Sequence, residues 1–482
     1  MVFQNNVLLG ASGSGTTAYE IDQSIRYNDP DNPKLGKTFS GAGTEETWTF
    51  SCWIKLGAET SNNRRMIFSA GSAGSNYGGA EIGSAGDNSL EFYNYVGGSY
   101  DWRLVTTQQF RDPAAWYHLV FVSDTTNSIS SERARIYVNG QRVTDFSTES
   151  YPSASYANNF WMGTTEHEIG TSIFTTQNFD GYMAEIVNLD GTATDCSSFG
   201  EFNSSGIWIP KSVSGLTFGT NGFHIDGRDS ADLGDDESGQ GNDFTASGLA
   251  AHDQVSDSPT NSFSVMNPLA NYYVQHTLKN GNLEETTSTN GSYYSYSINN
   301  IGMTSGKWYV EVLFSGSSAA QMLTGISDRE SQGGTHYLGS QSYEYSYYNY
   351  NGKSINGSTQ STYGNTYTTG DIIGIALDLD NSKLYFSKNG TFQNSGAPTS
   401  GSTGTGALSI TAVGSTENGF YYVGAGDYSG ANATTYIWNF GQEGTFAGNI
   451  TAGGNSDGNG IGNFKYSVPS GYLALCTKNL GS

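Results

Sequence analysis

Asp371-Ile372-Ile373-Gly374-Ile375-Ala376-Leu377-Asp378-Leu379, a turn Asp380-Asn381-Ser382, then Lys383-Leu384-Tyr385-Phe386-Ser387-Lys388-Asn389-Gly390 decides the fold. Two short runs of branched and aromatic residues flank turn chemistry, which is the pattern of an antiparallel hairpin. The pattern recurs outward from there. Lys307-Trp308-Tyr309-Val310-Glu311-Val312 reads as a strand before it, and Gly471-Tyr472-Leu473-Ala474-Leu475-Cys476 as a closing strand after it. The stretch 391–418 is rich in Gly, Ser and Thr, which suits loops. Toward the N-terminus, Thr47–Lys55 alternates polar and bulky residues, and Trp116–Val122 reads as a more buried strand. Ala134–Val138 runs into Asn139-Gly140 and returns through Gln141-Arg142-Val143, a second hairpin. Many short strands joined by turns predict an all-β chain of two antiparallel β-sandwich, jelly-roll-like domains.

Composition agrees with that expectation. The 482 residues suffice for more than one domain, with 64 Gly, 9 Pro and 13% aromatic residues. Charged residues make up 14%, against a usual quarter, so a coiled coil or helical bundle is excluded over most of the length. The 32 Tyr and 24 Phe offer too much apolar surface for a disordered chain. A net charge of −24, from 21 basic and 45 acidic residues, repels phosphates, so neither nucleic acid nor membrane insertion is expected. Three distant cysteines, Cys52, Cys196 and Cys476, without a C-x-x-C pair, predict free thiols assembled in a reducing cytoplasm. No basic region precedes an apolar core at Met-Val-Phe-Gln-Asn-Asn, so a secretory signal is not expected.

Residues 226–262 hold nine acidic residues and one basic residue, Arg228, among Gly and Ser-Pro turns. The predicted organisation is an N-terminal arm over 1–18, a sandwich over 19–225, an acidic connector over 226–262 and a second sandwich over 263–482. Gly10 to Thr17 has the glycine spacing of a phosphate loop but lacks its Lys, so it reads as part of the arm.

The first half resembles the laminin-G-like (concanavalin A-like) family through Thr47–Lys55, Arg65-Met66-Ile67-Phe68-Ser69, Trp116–Val120, Arg135–Gly140 and Phe179–Glu185. The second half resembles a SPRY domain through Gly306–Val312 and Gly370–Gly390. Over nearly the full chain, the arrangement is also similar to virion-associated proteins of marine bacteriophages, through Gly222–Asp226, Ser238–Phe244 and Asp257–Asn261. The resemblance implies a virion protein, assembled in the host cytoplasm, of a tail fibre or appendage. Its partners would be other virion proteins and a host-surface glycan or protein, and it would be a homo-oligomer, with a trimer favoured. A capsid decoration protein with a purely structural role is the alternative.

The first candidate binding residues are Tyr343, Tyr345, Tyr347, Tyr348 and Tyr350, whose rings suit stacking on sugars or a protein epitope. In SPRY domains the loops around such strands form the usual binding surface; alternating Tyr can equally be cross-strand packing. Tyr93, Tyr95, Tyr100 and Trp102 form a second candidate surface. Asp235, Asp236, Asn242 and Asp243 offer hard oxygen ligands suited to calcium, without the spacing of an EF-hand; a solvated acidic loop is the competing reading. No catalytic residue is assigned. Glycoside hydrolases on the concanavalin A-like fold show a Glu-x-Asp-x-x-Glu strand. Here Glu20-Ile21-Asp22 continues as Gln23-Ser24-Ile25, and Glu166 with Glu168 has no partner acid. The six histidines are scattered, and His118 reads as a satisfied strand residue. The chain is expected to be no enzyme, with a polysaccharide-degrading enzyme as the further alternative.

Overall fold

In a computed structural model of the chain, the residues described are 19–58, 64–83, 86–157, 160–174, 177–270, 276–287, 295–316, 321–329, 336–428 and 433–481. The expected arm over 1–18 lies outside them. The chain divides into two compact units, Met1–Ser262 and Phe263–Ser482. Among the described residues no helix is long and apolar enough to cross a membrane.

The strands of the first unit are β1 (Ser24–Tyr27), β2 (Lys34–Thr38), β3 (Thr47–Leu56), β4 (Arg65–Ala73), β5 (Asn76–Ile82), β6 (Ser89–Val96), β7 (Ser99–Gln109), β8 (Trp116–Asp124), β9 (Ala134–Val138), β10 (Gln141–Arg142), β11 (Phe146–Ser150), β12 (Glu166–Ile169), β13 (Gly181–Asp190), β14 (Gly200–Phe202), β15 (Trp208–Pro210), β16 (Phe223–Ile225), β17 (Thr245–Ser247) and β18 (Gln254–Val255). Among the described residues all but β14 and β15, which pair with each other, form two large antiparallel sheets. The first runs β10-β9-β8-β3-β13-β1-β18, with β16 also on β13, and the second runs β11-β7-β6-β5-β4-β12-β2-β17. The inner residues of both meet in an aromatic core of Trp48, Phe50, Phe68, Phe92, Trp102, Phe121 and Trp161. The Asn139-Gly140 turn forms as expected: both residues have positive φ, 47° and 78°, which matches the twist of the strands it joins.

The acidic stretch 226–262 belongs to the first unit and is no free connector. β17 adds to the edge of the second sheet against β2, and β18 pairs with β1. Its charges are absorbed individually. Asp257 takes the buried ammonium of Lys55 at 2.7 Å and the Trp116 indole N–H at 3.2 Å, while Asp253 accepts from Arg26 at 3.1 Å. Composition marks the segment as a connector between domains; these particular partners, distant in sequence, make part of it structural in the first unit.

The second unit is also a sandwich. One sheet centres on Lys307–Gly316, flanked by Ile372–Asp378 and Thr434–Asn439, with Lys383–Lys388 paired to Ile372–Asp378 as the hairpin predicts. The other carries Met322–Ser327 between Glu344–Tyr348 and Tyr422–Asp427. The closing strand is two residues long, Leu473–Ala474, parallel to Trp308–Tyr309. The segment before it is held by Glu311, whose buried carboxylate accepts from the backbone N–H groups of Lys465 (2.8 Å) and Tyr466 (2.9 Å).

Candidate ligand-binding face

The Tyr run of the second unit is mostly interior. Tyr345 and Tyr347 point into the core between the sheets, and the Tyr347 hydroxyl donates to the Asn365 carbonyl. Tyr345 is fixed through its hydroxyl oxygen, which accepts from the Thr411 backbone at 2.9 Å. The opposite face of the same strand is covered too. The segment Leu338–Gln341 lies along it: Ser346 Oγ donates to the Leu338 carbonyl at 2.8 Å, and Glu344 Oε2 accepts from Gly339 N–H at 3.0 Å and Gln341 N–H at 3.1 Å. Tyr348 is buried on that side against Tyr428, with ring centroids 4.9 Å apart. Tyr343 is half-buried, and Tyr350, at 69% exposure, keeps its ring 6.1 Å from that of Tyr348. As a continuous stacking platform the run is therefore corrected: a strand covered on both sides buries both sets of its rings.

The second candidate surface fares differently, and one bulge explains how. In β6 and β7 the register runs Tyr93↔Arg103, Asn94↔Trp102 and Tyr95↔Tyr100, which leaves Asp101 as an extra residue. The bulge breaks the alternation. Trp102 turns inward, edge-to-face on Phe92 at 4.7 Å, and leaves the candidate site, while Tyr100 turns outward. On the outer face of the sheet the rings interlock: Tyr77–Tyr95 at 5.3 Å, Tyr95–Tyr100 at 5.2 Å, Tyr93–Tyr100 at 5.6 Å and Tyr77–Phe174 at 5.8 Å. Tyr100 and Phe174 are among the few large exposed apolar side chains of the described residues, and Val96 at the hairpin tip is a third. Partial burial and the nearby Glu91 carboxylate push the Tyr100 phenol up to about 12, so it stays a neutral donor. Tyr93 is buried beneath these rings, and its hydroxyl has no hydrogen-bond partner among the described residues.

Four charged residues that sequence reading did not single out underlie the rings. Glu81 on β5 and Glu91 on β6 are directly opposite in register, an arrangement that is unfavourable for like charges unless each is neutralised. Each is. Arg64 bonds Glu81 through Nε at 2.8 Å and Nη2 at 2.5 Å; Arg103 bonds Glu91 through Nε at 2.6 Å and Nη2 at 2.8 Å. Both carboxylates are fully buried, and the Arg103 guanidinium lies 4.2 Å from the Tyr100 ring centre. Period-2 spacing in Glu91-x-Tyr93-x-Tyr95 places those three on one face. The partners Arg64, just before β4, and Arg103, on β7, are brought there only by the fold.

Paired carboxylates on a sheet face raise the question of glycoside cleavage, which needs one acid to reach the glycosidic oxygen and another the anomeric carbon. Here both oxygens of each carboxylate accept from its own guanidinium, and neither carboxylate reaches solvent. The geometry positions guanidinium groups and rings. Glu166 and Glu168 do lie on strand β12, where Glu168 pairs with Lys34.

Ser51 and His118 also meet, at 2.9 Å. The Trp208 indole N–H donates to His118 Nδ1 at 3.0 Å, so Nε2 carries the ring proton and donates to Ser51. Burial holds this histidine down near about 3. It is a satisfied core residue, as its apolar surroundings predict.

Three of the four expected calcium ligands spend polar atoms on hydrogen bonds to the chain around them. Asp236 accepts from the backbone N–H groups of His224, Ser238 and Asn242 and from the Ser238 hydroxyl, at 2.8–2.9 Å. The Asn242 amide donates to the carbonyls of Thr220 and Gly222, Asp243 accepts from Asp236 N–H, and Asp235 is half-buried beside them. Among the described residues no group of three or more His, Cys, Asp or Glu is placed to hold a metal ion.

Comparison with known proteins matches each unit separately. Residues 35–195 match the concanavalin A-like lectin/glucanases superfamily, and residues 306–421 match the SPRY domain. No curated protein matches the chain. Among solved structures, the SPRY domain of human HERC1 is 18% identical over 36% of this chain and 96% of its own, with a TM-score of 0.29. The native heptameric SAP-like pentraxin of Limulus polyphemus is 17% identical over 37% of this chain and 80% of its own, with a TM-score of 0.28.

Proposed function

We propose, for a chain that joins a concanavalin A-like domain to a SPRY domain, that it is a non-enzymatic binding protein whose first unit holds glycan on the outer face of β5, β6 and β7. One observation carries this reading: Tyr95 and Tyr100 of the second predicted surface join Tyr77 and Phe174 in a connected set of rings on an outer sheet face, with Tyr100 and Phe174 exposed and Tyr77 and Tyr95 half-buried. Flat rings with polar tips, set in a face whose charged groups are already paired, match the apolar faces and hydroxyl edges of sugars. The burial of Glu81 and Glu91 supports the non-enzymatic part. The wider setting, a bacteriophage tail fibre or appendage that meets a host surface as a homo-oligomer, rests on the sequence resemblance. There, several weak sites on one particle would gain strength by avidity. Affinity electrophoresis of the full chain through immobilised host polysaccharide tests the site. Tyr95→Ala with Tyr100→Ala is expected to abolish retardation of a protein that still folds; unchanged retardation places binding elsewhere.

A further inference from the structure

We infer that this face takes an uncharged sugar and discriminates against acidic ones, an inference that rests on the glycan reading above. The register sets Glu81 directly across from Glu91, and each is closed by its own two-pronged guanidinium, so these four formal charges sum to zero. The guanidinium groups are the more exposed members, at 27% for Arg64 and 23% for Arg103, against 0% for both carboxylates. An arginine pair in that position is the usual device for capturing a carboxylate or sulfate.

Two features deny them that role. The Nε and Nη2 edge of each guanidinium already serves its own buried carboxylate, so an incoming anion meets a charge that is already neutralised and could take that edge only by leaving a buried Glu without its counter-ion. The face of the Arg103 guanidinium is also taken by the Tyr100 ring at 4.2 Å. The arginines thus stiffen the platform and fix ring positions, so that less freedom is lost when a ligand stacks on it. The −24 charge of the chain adds long-range repulsion of polyanions. Contact is left to the rings of Tyr95 and Tyr100 and to hydrogen bonds between neutral partners.

The test measures retention of the full chain on neutral polysaccharides (dextran, mannan, galactan) and on anionic ones (alginate, heparin) at about 50 and about 500 mM salt, where screening differs strongly. The expected result is retention on at least one neutral polymer, changing less than about twofold with salt and falling at least about tenfold in Tyr100→Ala. Neither anionic polymer should be retained. A double variant, Glu91→Gln with Arg103→Gln, keeps hydrogen-bonding groups, removes both charges and loosens the Tyr100 ring; neutral-sugar retention should fall, but by less than in Tyr100→Ala, and no anionic polymer should be gained. Retention on alginate or heparin that falls about tenfold with salt and vanishes in the double variant would overturn the inference while leaving the glycan site in place. If no polymer of either kind is retained, the glycan reading itself fails and the inference falls with it. Should the double variant not fold, the salt series and Tyr100→Ala decide alone.

Discussion

Strand Glu344–Tyr348 of the second unit and strand β6 of the first both read Tyr-x-Tyr, yet they end in opposite places. The first packs Tyr345 and Tyr347 into the sandwich and buries Tyr348 under neighbouring loops, so alternation there separates two interiors. The second also sends one set of side chains, Leu90 and Phe92, to the core, but its outer rings join a surface cluster with Tyr100 and Phe174. The lesson concerns what covers a sheet. A Tyr at every second position reports a shared face. Whether that face meets water depends on segments such as Leu338–Gln341, which carry no mark in the strand itself.

The contrast can be broken most sharply at Tyr347. Tyr347→Ala removes a fully buried ring, and denaturant unfolding should show the second unit losing about 3–5 kcal/mol, with glycan retention by the first unit unchanged. A loss below about 1 kcal/mol would mean that the ring is not core. Arg103→Ala should come next. It leaves Glu91 buried with its counter-ion gone, and the first unit should lose up to about 3 kcal/mol, less than a wholly interior pair because the guanidinium is partly exposed.

A pH series sharpens the comparison further. In the first unit His224 Nε2 donates to Glu185 at 3.0 Å, beneath a Glu185 backbone held at positive φ, 49°, where β13 bulges. Burial opposes the charged ring. The hydrogen bond and charge of Glu185, with Asp226 and Asp236 nearby, outweigh it and raise the histidine above its ordinary value. A raised folded value means that the stabilisation is complete below about pH 6.5 and is lost as pH climbs through the raised value. Calorimetry should therefore show the first unit's transition falling above that pH, and His224→Gln should flatten that part of the decline. In the second unit, burial pushes Glu311 up to about 7, so the corresponding loss there runs from the ordinary carboxylate range to about 7 and should disappear in Glu311→Gln. A first-unit decline unaffected by His224→Gln would remove the Glu185–His224 pair as its cause. The smallest stability effect belongs to Tyr100→Ala: 40% exposed but packed on Tyr93, Tyr95 and Arg103, it should cost about 1 kcal/mol while sugar retention collapses.

Much of the fold was legible in the chain itself. Period-2 patterns and Asn-Gly or Asp-Asn-Ser turns announce antiparallel sandwiches because they are local consequences of backbone geometry. The hairpins at Asn139-Gly140 and Asp380–Ser382 form where those residues lie. The acidic stretch 226–262 was harder to read. Composition predicts an acidic connector between domains, but two of its short strands complete sheets of the first unit, and its Asp residues find Lys55, Arg26 and loop N–H groups far away in sequence or turned in by the loop.

What the sequence determined alone is therefore the class of structure, the two-unit plan, the mutual neighbourhood of Glu91, Tyr93 and Tyr95, and the buried character of His118. Tertiary structure decided the rest. The extra residue Asp101 split Tyr100 from Trp102, register brought Glu81 to Glu91, and Arg64 and Arg103 closed over them. Spacing along a strand fixes which side chains share a face, because the pleat repeats every two residues. Which strand lies alongside, where a bulge resets the alternation and what covers the face are set by contacts between residues far apart in the chain, and those exist only once it has folded.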